Sequence, residues 1–147
     1  MYPNYASPFA DYGLTWEPIK VKTEDGWTLT LFHITGDTTT GPFEITKPAL
    51  LMQHAMGTSG VEWLSAINGN EPMAFQFARM GFDVYITNNS GVQYSYENDQ
   101  YTYNDPEFWM MDWRKWGRYD IPAAVEYIRT QNGGAKVALV GHSQGTT

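Results

Sequence analysis

The feature that most constrains this chain is the run Lys136-Val-Ala-Leu-Val-Gly-His-Ser-Gln-Gly-Thr146. A short apolar, β-branched stretch, Val137 to Val140, stops at a Gly-x-Ser-x-Gly pattern. That order predicts a strand turning sharply into a helix, with the hydroxyl of Ser143 thrown into solvent. Gly141 and Gly145 are expected because a side chain at either position would strike the tight turn or the neighbouring strand. A serine hydroxyl is a poor nucleophile near neutral pH, so a reactive Ser143 needs an adjacent base. Attack on an ester builds charge on the carbonyl oxygen, which two fixed backbone N–H groups would stabilise.

Upstream of that turn, strand and helix patterns alternate. Residues 1–18 carry Pro3, Pro8 and Pro18 among scattered aromatics and read as an extended arm, leaving 19–147 as the folded unit. Ile19 to Lys22 and Trp27 to Phe32 alternate apolar and polar residues around Glu24-Asp-Gly26, the mark of a β-hairpin with one buried face. Ala49 to Met52 is continuously apolar, as in a strand covered on both faces. Pro72 to Met80 reads as a helix closed by Gly81, and Phe82 to Ile86 as the next strand. Asp120 is placed to cap a helix over Ile121 to Thr130, with Asn132-Gly-Gly134 ending it before the last strand. This alternation predicts an α/β fold with an antiparallel hairpin followed by parallel strands. Ligands then bind beyond the carboxyl ends of the strands, where Gln53 to Gly60 and Gly141 to Gly145 lie.

Composition narrows the partners. With a net charge of −7 and a pI near 4.7, no basic patch for nucleic acid is available. No run of about 20 apolar residues occurs, so no transmembrane segment is expected. The first residues lack the basic and apolar regions of a signal peptide. Cysteine is absent, which excludes a disulfide framework and a cysteine metal site.

Seven segments together resemble the acid lipases, a branch of the α/β-hydrolases. They are Thr23-Glu-Asp-Gly-Trp-Thr-Leu29, Leu51-Met-Gln-His54, Trp63, Gly81-Phe-Asp-Val84, Asp105-Pro-Glu-Phe-Trp109, Arg118-Tyr-Asp-Ile-Pro-Ala123 and Gly141-His-Ser-Gln-Gly-Thr-Thr147. The likeness covers the N-terminal part of such a domain, as far as the serine turn. It implies cofactor-independent hydrolysis of a lipid ester, triacylglycerol or steryl ester, at a lipid–water interface, in a secreted or lysosomal setting. It makes Ser143 the nucleophile and the backbone N–H groups of Gln144 and Met56 the oxyanion donors. The acid and histidine of the triad would follow Thr147. Two departures stand out: Ala55 where the family has glycine, and Asn88-Asn-Ser-Gly91 where it has Asn-Ser-Arg-Gly.

The three histidines have plainer readings than catalysis. His33 reads as a surface or edge residue, His54 as a brace for its loop, and His142 as a packing residue. Asp120 reads as a helix cap, and Trp109, Trp113 and Trp116 as core. Two functional classes remain open: a serine ester hydrolase, or a degenerate relative that keeps the turn without catalysis and serves as a binding or regulatory module.

Overall fold

The computed structural model describes residues 6–147. In chain order it comprises α1 (Ala6–Asp11), β1 (Leu14–Lys22), β2 (Trp27–Asp37), β3 (Gly41–Pro42), β4 (Ala49–Gln53), α2 (Met73–Arg79), β5 (Asp83–Ile86), β6 (Glu97–Asn98), α3 (Trp113–Lys115), α4 (Ile121–Gln131) and β7 (Ala138–Gly141). One sheet runs in the order β1-β2-β5-β4-β7, with the short β3 and β6 paired to β2. β1 and β2 form the expected antiparallel hairpin, and β2 is antiparallel to β5. Beyond β5 the sheet becomes parallel, through β4 to β7.

Period-two alternation divides the core into two layers. Phe32, Ile34, Leu50, Met52, Val84 and Ile86 point to one face, where Ala74, Phe75 and Ala78 of α2 cover them. Leu29, Leu31, Ala49, Leu51 and Tyr85 point to the other, beneath Ala124 and Ile128 of α4. β4 is buried along its whole length, as its unbroken apolar run requires.

Residues 6–18 are not an extended arm; residues 1–5 of that reading lie outside the described residues. Phe9 is buried in the α2-side core, 4.8 Å from the stacked Trp16 ring and 5.2 Å from Phe75. Pro8 falls in the first turn of α1, where no helical N–H is lost. Pro18 lies in β1, an edge strand of this sheet, which is where a strand can hold proline.

Asp120 does not cap α4. The backbone is already helical there, running from α3 through a wide turn over Trp116–Asp120, and no capping bond is made. The cap belongs to Asp112, whose carboxylate accepts the N–H groups of Arg114 and Lys115. Asp120 instead lies buried and accepts the Ser90 N–H at 2.7 Å. The tryptophan reading also changes. Phe108 takes the core position, while Trp109 and Trp113 are 56% and 50% exposed. Trp116 is half-buried, and its Nε1–H donates to Ser90 O at 3.1 Å.

His33 is neither a surface nor an edge residue. It lies on β2 between two partner strands, with Nδ1 3.0 Å from Glu17 on β1 and Nε2 2.7 Å from Asp83 on β5. Its ring stacks on Tyr85 at 4.2 Å. Burial opposes its charge, but the hydrogen bonds to Asp83 and Glu17 outweigh that and hold the imidazole above its ordinary value.

Candidate active site

β4 and β7 are parallel neighbours, with Gln53 opposite Gly141. The loops that follow them therefore leave the same end of the sheet side by side. His142 N–H donates to Gln53 O at 3.1 Å, tying the start of one loop to the start of the other.

The serine turn is built by exclusion of side chains. After extended His142, Ser143 has φ 53°, in the left-handed region, and opens a single 3-10 turn to Thr146. Gly145 N–H closes it onto His142 O at 2.8 Å, and Thr146 Oγ1–H donates to Ser143 O at 2.7 Å. A Cβ on Gly145 would lie 2.7 Å from His54 O and 2.8 Å from Gln53 O. One on Gly141 would strike the Gly145 carbonyl. Both glycines thus allow backbone to approach backbone, and Ser143 is left exposed at the tip.

The loop after β4 is held from within. His54 is buried; its Nδ1 lies 2.8 Å from Ala55 O, and Asn89 N–H donates to its Nε2 at 3.2 Å. Nε2 is therefore the acceptor and Nδ1 carries the proton. Burial holds the imidazole below its ordinary value, against a smaller contribution from the Ala55 carbonyl. This histidine braces its loop. Ala55 N–H donates to Glu62 Oε1 at 3.0 Å. Ala55 is not among the residues with positive φ, so alanine in place of glycine carries no backbone strain; the left-handed step falls on Gly57, at φ 77°. Met56 follows with its side chain exposed.

The Asn88–Gly91 segment lies behind His54. Asn88 accepts Gly60 N–H at 3.0 Å and donates to Thr30 O at 2.9 Å. Ser90, where the family pattern has arginine, supplies the N–H that reaches Asp120. Buried without a cationic partner in these contacts, the Asp120 carboxyl is pushed up to about 7, with the bond from Ser90 N–H opposing the shift. His142 is exposed on the outer side of the turn, its Nδ1 3.4 Å from Glu62 Oε1. Its ring also packs edge-on against Trp63, with centroids 6.4 Å apart. Glu62, Asn88 and the buried role of Asp120 had no separate signal in the sequence; a lone carboxylate inside Val61-Glu-Trp-Leu64 was the nearest to one.

Geometry and sequence comparison agree on the class. Residues 48–147 match the profile of the alpha/beta hydrolase fold, and residues 7–67 that of a partial alpha/beta-hydrolase lipase region. The chain belongs to the α/β-hydrolase family, in its acid lipase branch. It is 31% identical over 144 residues to gastric triacylglycerol lipase of Rattus norvegicus, covering 98% of this chain and 36% of that protein. Its identity to lysosomal acid lipase/cholesteryl ester hydrolase of Homo sapiens is also 31%, over the same length and shares. The chain thus spans about a third of the curated relatives it matches. Among solved structures, an esterase of Pyrococcus furiosus superposes with a TM-score of 0.60 at 14% identity, over 93% of this chain and 43% of that one, a likeness of fold alone. Among the described residues no helix is long and apolar enough to cross a membrane.

Proposed function

We propose that this chain carries the nucleophile and the oxyanion donors of a serine ester hydrolase acting on lipid esters, triacylglycerol or steryl ester. Ser143 is the nucleophile, and the backbone N–H groups of Gln144 and Met56 stabilise the oxyanion. The observation that carries the reading is the turn itself. An exposed serine at φ 53° heads a turn that two glycines press against the end of β4. A left-handed backbone at a non-glycine residue costs of order 1–3 kcal/mol and persists where the surroundings impose it. The substrate class rests on the relatives, whose names specify triacylglycerol and cholesteryl ester.

In the full-length protein, Ser143→Ala is expected to abolish hydrolysis of a short-chain nitrophenyl ester and of a triacylglycerol emulsion. Only residual catalysis from binding and the oxyanion donors would remain. Met56→Ala should matter far less, because the donor is backbone. Turnover that survives Ser143→Ala moves the nucleophile elsewhere. A wild-type protein that binds lipid ester without cleaving it favours the non-catalytic relative.

A further inference from the structure

The peptide units around Ala55 are pinned from two sides. The unit that bears Met56 N–H has its carbonyl, Ala55 O, held by His54 Nδ1 at 2.8 Å. The unit before it has its N–H, that of Ala55, held by Glu62 Oε1 at 3.0 Å. The same carboxylate oxygen lies 3.4 Å from Nδ1 of His142, the residue immediately before Ser143. Glu62 itself is fixed by the 3-10 turn over Gly60–Leu64, whose first bond is Glu62 N–H to Ser59 O at 3.1 Å, and its side chain is only 18% exposed. One oxygen on that turn therefore touches both loops that leave the carboxyl end of the sheet.

We infer that Glu62 is a positioning residue for the oxyanion site, fixing the loop that carries Met56 N–H relative to the turn that carries Ser143 and Gln144. The inference rests on the hydrolase reading above and names what sets its geometry. Two backbone donors stabilise a tetrahedral oxyanion only when both lie within hydrogen-bond distance of the same point. Met56 and Gln144 sit on different strands' loops, so their spacing must be imposed. The His142–Gln53 backbone bond imposes it at the base of the loops. Glu62 imposes it further out, at Ala55, one residue from the donor. The hydrogen bond to Ala55 O also polarises the amide that bears the proposed Met56 N–H donor, which strengthens that donor.

The test compares Glu62→Ala, Glu62→Gln and Ser143→Ala in the full-length protein, using a nitrophenyl ester and counting active sites by irreversible phosphonate labelling. Glu62→Ala is expected to lower kcat per labelled site roughly ten-fold or more with KM little changed, as a displaced oxyanion donor does. Glu62→Gln keeps an oxygen for Ala55 N–H and should restore most of the loss. Wild-type kcat per site in Glu62→Ala overturns the inference, as does a Gln variant as impaired as the Ala variant. If Ser143→Ala still turns over, the hydrolase reading fails instead. In that event amide exchange decides the structural link: faster exchange of the Ala55 N–H in Glu62→Ala upholds it, and an unchanged rate overturns it.

Discussion

At the scale of single residues, one buried and one half-buried group hold protons more tightly in the folded chain than outside it. Asp120 ordinarily titrates near 3.8 and is pushed up to about 7. Between those values the folded chain keeps a proton that the unfolded chain releases, so stability falls as pH rises across that window. A shift of that size corresponds to roughly 4 kcal/mol. His33, held above its ordinary value by its two carboxylates, acts with the same sign. Its contribution is present at lower pH and is lost as pH climbs through its raised value. Asp120→Asn keeps an oxygen for the Ser90 N–H and cannot ionise. We expect it to flatten most of the fall in urea midpoint between about pH 4 and pH 8, leaving the smaller part due to His33. An unchanged pH profile would show that Asp120 is ionised in the fold. Ser143, Gly141 and Gly145 were legible in the sequence because the turn they build spans five residues and one adjoining strand. Glu62 and Asp120 were not, because their partners, Ala55 N–H and Ser90 N–H, reach them only through the tertiary fold.

At the scale of elements, the strands were readable and the helix boundaries less so. β1, β2 and β4 announce themselves by alternation or by an unbroken apolar run. α1 did not, since a short proline-bearing segment becomes a helix here because Phe9 docks against Phe75, a contact outside the local pattern. The helical stretch before Asp120 was hidden for the same reason. Trp113 to Lys115 face solvent and show no apolar period, and Asp120 before Ile-Pro looks like a cap. Among the described residues the strand β7 pairs with β4 on one side only, and Leu139 is 52% exposed. Open apolar edges pair with other chains. The 147-residue chain is therefore expected to self-associate. Leu139→Lys should lower its apparent mass in light scattering at matched concentration. A wild-type chain that is monomeric at high concentration would contradict this.

For the molecule as a whole, the sheet joins two kinds of neighbourhood. The fold class was legible because a hairpin followed by alternating strands and helices leaves few alternatives to a mixed sheet, antiparallel at the hairpin and parallel beyond it. The strand order was not legible, since nothing local says that β7 lies beside β4. That order has a kinetic consequence. The β1–β2 hairpin joins residues close in sequence, whereas Leu50 meets Ala138 only after most of the chain has been gathered in. Loop-closure entropy makes such distant pairings late events in folding. Val140→Ala in β7 should then leave the refolding rate nearly unchanged and speed unfolding, while Leu29→Ala in β2 should slow refolding. Stopped-flow rates in urea would separate the two, and equal effects on refolding would contradict this order. The serine would thus be the last part of the molecule to reach its working shape and the first to leave it. Partial unfolding in denaturant would dismantle the turn at Ser143 while the hairpin still stands.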